Sequence, residues 1–165
     1  MLTVKHAAFD DLGEMMRIYA SARTFMKESG NATQWGDHFP PEELIREDIA
    51  KGRSYVVTND GRICGAFAFI IGDDPTYRKI EDGAWQDQSP YGTIHRVASD
   101  GSAHGIFDEI VRFCTRKIPH LRIDTHRDNR VMRHLIERNG FSRCGIIHVA
   151  DGTARIAYEK GGRNG

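Results

Sequence analysis

Apolar residues near the start of the chain recur three or four apart: Leu12, Met15, Met16, Tyr19, Ala22, Phe25 and Met26. That period predicts an amphipathic helix running to about Lys27. Asp10 or Asp11 supplies its cap, and residues 2–7 (LTVKHA) make a short strand before it. From Glu28 to Pro40 glycine, asparagine, aspartate and proline break the period, so this stretch is loop. Pro41 opens a second helix, PEELIREDIAKG, with Glu42 and Glu43 beside its positive end and Gly52 at its close.

The pattern then changes to strands. Ser54–Thr58 and Ile63–Ile71 flank Asn59-Asp60-Gly61, a hairpin signal. The second run is almost wholly apolar, as a strand covered on both faces must be. Residues 72–90 are polar and irregular, with Trp85 near their end. Tyr91–Ser99 reads as a central strand, followed by a helix from Gly105 to Lys117 that buries Ile106, Ile110, Val111, Phe113 and Cys114. Pro119 ends that helix. A strand at 121–126, a helix at 128–138, and strands near 142–149 and 153–159 around Asp151-Gly152 complete the order. The tail, residues 161–165, is expected to be disordered. With no repeat and no linker, residues 1–160 form a single α/β domain. Its sheet is mixed and mostly antiparallel, with about six or seven strands and about four helices.

Composition narrows the function classes. At 165 residues, 39% hydrophobic and 28% charged, the chain can bury one substantial core. Lysine plus arginine number 23, as do aspartate plus glutamate, so no net positive charge favours nucleic acid. No apolar run reaches the roughly eighteen residues a membrane span needs. The polar N-terminus, with Lys5, Asp10, Asp11 and Glu14, has no apolar secretory core. Cys64, Cys114 and Cys144 lack C-x-x-C spacing and fit the reduced, buried thiols of a cytoplasmic protein. The eight histidines show no paired-ligand spacing, so no metal is expected.

Two segments carry candidate chemistry. The strand at 121–126 ends in Asp124, Thr125 and His126, with Asp128 and Asn129 leading into a helix. Ligands bind at such carboxyl ends in open α/β sheets. Between the central strand and the next helix, Asp100–Phe107 (DGSAHGIF) offers glycines and a helix start to a phosphate. The same octapeptide also reads as a tight turn with an ordinary helix entry.

The chain resembles the GNAT-superfamily N-acetyltransferases. Asn129, Leu135 and Gly140-Phe141 match that family's Asn-x-x-Ala-x-x-Leu-Tyr-x-x-x-Gly-Phe pattern at identical spacing, with Met132 at the small position and Ile136 at the Tyr. Val97–Ser99 is similar to the pantetheine-binding strand. Ser102-Ala103-His104-Gly105-Ile106-Phe107 falls on the loop whose amides cradle the acetyl-CoA pyrophosphate, with Ser102 where Arg or Gln is usual and Phe107 where a small residue is. The order of elements also agrees with the family.

The resemblance implies acetyl-CoA as cosubstrate and a small-molecule or peptide amine as acceptor, attacked directly in a ternary complex. It implies that Val97 or Ala98 donates an N–H to the acyl carbonyl and that Asn129 helps hold the pantetheine arm. His95 is the candidate general base on intrinsic pKa, with His126 and Asp124 able to relay a proton through water. Glu28 stands where related enzymes sometimes place an acceptor-binding carboxylate. Trp35 and Tyr91 are candidate walls of the acceptor pocket, alongside Asp124. Each also has a structural reading: His95 between strand and helix, His126 in a turn with Asp128 capping the next helix, Glu28 as a solvated helix residue, Trp35 as a plug at the edge of the core. The fold leaves a homodimer open. A second function class, a non-catalytic CoA-sensing or partner-binding module, fits the altered loop and Ile136.

Overall fold

The computed structural model describes residues 1–161; residues 162–165, the rest of the expected disordered tail, lie outside the described residues. Strand β1 (Leu2–His6) passes through a short 3-10 turn into α1 (Leu12–Glu28). Asp11 occupies the cap position, but its carboxylate turns back and accepts the Ala8 N–H at 2.8 Å. Helix α2 (Glu42–Ala50) begins one place after Pro41, whose extended backbone makes it the cap rather than the first helical residue. Strands β2 (Ser54–Asn59) and β3 (Arg62–Ile71) meet at Asp60 and Gly61, both with positive φ (51° and 86°). That is the two-residue turn whose twist suits a hairpin.

The remaining elements are β4 (Gly92–Ser99), α3 (Ile106–Lys117), β5 (Leu121–Thr125), α4 (Arg130–Arg138), β6 (Ser142–His148) and β7 (Ala154–Lys160). The seven strands among the described residues are hydrogen-bonded in the order β1-β2-β3-β4-β5-β7-β6. Antiparallel ladders join β1 to β2, β2 to β3, β5 to β7 and β7 to β6, while β4 and β5 are parallel. The architecture is the mixed, mostly antiparallel sheet with four helices that the hydrophobic pattern predicts. No helix among the described residues is long and apolar enough to cross a membrane.

The chain packs as two compact units, Met1–Phe69 with His95–Phe113, and Ile70–Ile94 with the chain from Cys114 onward. In the first unit, α1 and α2 bury Met15, Ile18, Tyr19, Ile45 and Ile49 against Val56, Ala66 and Ala98. Strand alternation sends Tyr55 and Phe67 to the other face, where their rings stack at 5.3 Å and Phe113 of α3 meets Tyr55 edge-on at 5.1 Å. Both faces of β3 are therefore covered, which explains its unbroken apolar run. Gly65 lets α3 start close to the sheet: a Cβ there would lie 3.0 Å from Ile106 Cγ2 and 3.2 Å from the Ala98 carbonyl.

The second unit gives order to residues 72–90, which the pattern leaves irregular. A 3-10 turn spans Pro75–Tyr77, and Glu81 exchanges two backbone hydrogen bonds of 2.8 Å with Ile146 of β6. Gly83 and Gly145 permit that approach, since a Cβ on Gly83 would fall 1.9 Å from the Cys144 carbonyl oxygen. Trp85 donates its indole N–H to the Tyr77 carbonyl at 2.8 Å. Arg122 is buried between the Trp85 and Tyr91 rings, 3.9 and 4.0 Å from their centroids, and donates to the Asp87 carbonyl at 2.7 Å. Arg122 lies 3.5 Å from Glu159, which also accepts the Gln86 N–H and lies 2.9 Å from His120 Nε2. A polar segment is thus fastened by three aromatic rings, two glycines and one buried ionic cluster.

Candidate active site

His95, Arg96 and Val97 of β4, which belong to the first unit, are all partly buried in succession. Arg96 is a non-glycine residue with φ 53° inside the strand. Left-handed backbone of this kind costs an L-residue about 1–3 kcal/mol and re-aims its neighbours. The neighbours here are His95 on one side and Val97 and buried Ala98 on the other.

The Arg96 side chain runs to Asp48 of α2. Its Nε and Nη2 donate to Asp48 Oδ2 at 3.0 and 2.7 Å, and Arg53 Nε donates to Oδ1 at 2.7 Å. Asp48 is 1% exposed, so both of its oxygens are occupied inside the core. Tyr19 is buried close by, and that burial pushes its hydroxyl well above the usual phenol range. Sequence reasoning missed Asp48. An acidic residue on an otherwise polar helix gives no signal until its partner, 48 residues away, is known.

Beyond β4 the chain turns through Gly101 (φ 76°) and Gly105 (φ 79°), and α3 starts at Ile106. Ile106 and Phe107 are buried, while Ser102 and His104 are exposed and Ala103 is partly so. Asp100 Oδ1 accepts the Ser102 N–H at 2.9 Å and the Ser102 hydroxyl at 2.6 Å. Burial raises the Asp100 carboxyl, but these two bonds, with Arg62 at 3.5 Å, outweigh it and hold the group below the usual carboxylate range. A second acid, Asp108, comes within 4.0 Å of where a Gly105 Cβ would stand. The loop therefore combines helix-start amides, which attract an anion, with two carboxylates, which oppose one.

In the α1–α2 connection, Trp35 packs against Tyr19 at 5.9 Å and Phe39 at 6.0 Å and joins the core around α1. Glu28 is exposed at the last residue of α1. Asp37, on the exposed surface, is paired with Lys27, whose ammonium holds that carboxyl below its ordinary range.

The second unit holds the other candidates. Asp124 Oδ2 accepts the Tyr77 hydroxyl at 2.7 Å. Burial, followed by Asp124 itself, drives the Tyr77 phenol well above its usual range, so it stays a donor. Tyr91 is buried, with its hydroxyl accepting the Asp74 N–H at 2.7 Å and its ring against Arg122. His126 Nδ1 accepts the Asp128 N–H at 3.0 Å, which commits that lone pair. Burial first, and Arg155 second, lower the His126 pKa and favour the neutral ring. Asn129, not Asp128, caps α4, its side chain accepting the Met132 N–H at 3.0 Å. Ile136 is wholly buried, and Tyr158 is buried with its hydroxyl 3.4 Å from Glu137.

His95, Val97, Ala98 and the 102–107 loop thus belong to the first unit, with Glu28 and Trp35; Tyr91, Asp124, His126 and Asn129 belong to the second. The three cysteines are unpaired and buried, and burial with Glu159 pushes the Cys144 thiol up to about 12. Thiols kept protonated are poor nucleophiles. No cluster of three or more His, Cys, Asp or Glu residues is placed for a metal ion among the described residues.

No family model matches the chain, and no curated protein does. Solved structures do. An acetyltransferase of the GNAT family from Streptococcus agalactiae 2603 is similar over 98% of this chain and 96% of its own, at 27% identity and a TM-score of 0.89. Another from Listeria monocytogenes 4b F2365 is similar at 21% identity and a TM-score of 0.71, over 97% of this chain and 94% of its own. A ribosomal-protein-alanine N-acetyltransferase from Brucella melitensis shares the fold at 16% identity and a TM-score of 0.62, over 96% of this chain and 99% of its own.

Proposed function

We propose that this chain, a GNAT-superfamily protein by its fold, is an acetyl-CoA-dependent N-acetyltransferase of the cytoplasm that acts on a primary amine of a small molecule or peptide. The observation that carries the reading is continuous along the first unit. Strand β4, with Arg96 left-handed, runs into a loop with two left-handed glycines and then into the start of α3. A strand N–H can polarise a thioester carbonyl, and the amides of a helix start can take phosphate oxygens.

The reaction joins the amine nitrogen to the acyl carbon and breaks the carbon–sulfur bond. The N–H of Val97 or Ala98 stabilises the oxygen as charge collects on it. Amides of Ser102 to Phe107 hold the pyrophosphate. His95, on the same strand as the carbonyl-binding N–H groups, takes the ammonium proton. Trp35 and Glu28 serve the acceptor. Buried Ile136 has no proton to give, so the departing thiolate takes one from water or another acid. The buried, protonated cysteines favour direct transfer over an acyl-cysteine intermediate.

A second reading, a CoA-sensing or partner-binding module, is favoured by the carboxylates of Asp100 and Asp108 at the loop. The test is thermal unfolding with acetyl-CoA, with ATP as control, followed by an amine screen. A ligand at a hundred times its Kd adds about 2.7 kcal/mol, or roughly 5–10 °C at this size. Acetyl-CoA alone is expected to give that shift, and Gly105→Val to remove it. No shift at millimolar acetyl-CoA would hand the lead to the partner-binding form of the second reading.

A further inference from the structure

Arg96 holds its left-handed conformation without being glycine, and strained backbone persists only where its surroundings over-determine it. Local sequence supplies no such constraint: His95 and Val97 are residues of ordinary strand preference. The constraint lies in α2. Asp48, 1% exposed, receives two N–H groups of Arg96 on Oδ2, and Arg53 holds its other oxygen. The main chain at Asp48 is tied to Arg53 as well, because the Arg53 N–H donates to the Asp48 carbonyl at 2.9 Å. The Arg53 carbonyl in turn accepts the Phe69 N–H of β3 at 2.9 Å. Asp48 and Arg53 together therefore link the end of α2, strand β3 and Arg96 of β4.

Net stability is a weak explanation for such a pair. Buried ion pairs can often be replaced by apolar side chains with little loss, and their best-supported role is to select one conformation. Here the conformation selected is the one that directs the N–H groups following Arg96.

We propose that Asp48 is a positioning residue for acyl transfer: through Arg96 it sets the left-handed backbone of β4 so that the Val97 or Ala98 N–H meets the acyl carbonyl. This rests on the acetyl-CoA reading. Asp48 touches no substrate, so its effect must appear at the acyl group and not at the nucleotide end of the ligand.

The test uses the whole chain, labelled for amide NMR, titrated separately with acetyl-CoA and with free CoA. In the wild type, the Val97 or Ala98 amide should move further with acetyl-CoA than with CoA. Asp48→Asn should remove that acetyl-specific movement while CoA affinity stays within about twofold. Arg96→Gly, which takes a positive φ without strain but loses the anchor, should do the same. The double variant should behave as either single one, as expected for two residues acting through one contact. If Asp48→Asn does not fold, Arg96→Gly carries the test. An acetyl-specific movement that survives in a folded variant overturns the positioning role. Saturable CoA shifts with no acetyl-specific movement in the wild type also overturn it, while leaving CoA binding intact. A wild type that responds to neither ligand overturns the acetyl-CoA reading itself, and the positioning role with it.

Discussion

The hydroxyl of Tyr77 donates to Asp124 Oδ2 at 2.7 Å, joining two residues 47 positions apart in the chain. Tyr77 is buried, in a segment with little regular structure, and Asp124 lies near the end of β5. The bond holds one oxygen of the carboxylate and anchors residues 72–90 from the inside. Tyr77→Phe keeps the ring and removes the donor. It should cost about 1.5–3 kcal/mol, the scale for a hydrogen bond to a charged group. The melting temperature should fall by roughly 3–12 °C.

Gly65 governs how closely α3 approaches the sheet. A Cβ there sits 3.0 Å from Ile106 Cγ2, on the first residue of the helix, and 3.2 Å from a backbone oxygen. Gly65→Ala should therefore cost about 1–3 kcal/mol as an overpacked core substitution. It should also weaken acetyl-CoA binding beyond the loss of stability, because the helix start moves with Ile106. Denaturant unfolding and ligand titration of the same variant separate the two effects.

The contact between Gly83 and Gly145 gives a prediction confined to stability. A methyl group on Gly83 would come 1.9 Å from a backbone oxygen, at a φ of 153°. Gly83→Ala should detach the segment from β6 and destabilise by about 3 kcal/mol or more. Trp85, in the same segment, reports the change as a red-shifted fluorescence. An unchanged melting temperature and emission would contradict the packing described for the second unit.

His126 predicts a pH dependence with a definite sign. Burial lowers its pKa from 6.5, so the folded state resists the proton that the unfolded chain accepts. As pH falls below 6.5, the unfolded state binds more protons and stability declines; above 6.5 the contribution is complete. His126→Gln should flatten that part of the curve. Urea midpoints at about pH 7.5 and about pH 5.5 check it. The wild type should lose more than the variant on acidification, and an equal loss would show that other groups set the slope.

Some of this protein follows from short-range rules. Asp60-Gly61 takes up positive φ at two consecutive positions and turns β2 into β3. The recurrence of Leu12, Met15 and Tyr19 forms α1, and the apolar run of β3 implies cover on both faces. These are decided within a few residues, by backbone sterics and by the period of burial, so they are legible in one chain. The Asn129 to Phe141 spacing points to the superfamily for the same reason, since it follows one helix and its exit.

Tertiary structure alone decides the rest. Nothing near Arg96 in sequence announces a left-handed residue in a strand, because what holds it is Asp48 on a separate helix. Residues 72–90 read as loop, because one bridge at Glu81, two glycines and the stacking of Trp85 on Arg122 have no period to detect. Asp124 is visible as a carboxylate at a strand end, but the donor that fixes it, Tyr77, is not. Periodicity records which side of an element faces the core. Which buried charge meets which depends on partners 48 and 47 residues apart, as for Asp48 with Arg96 and Tyr77 with Asp124, beyond the reach of any local period.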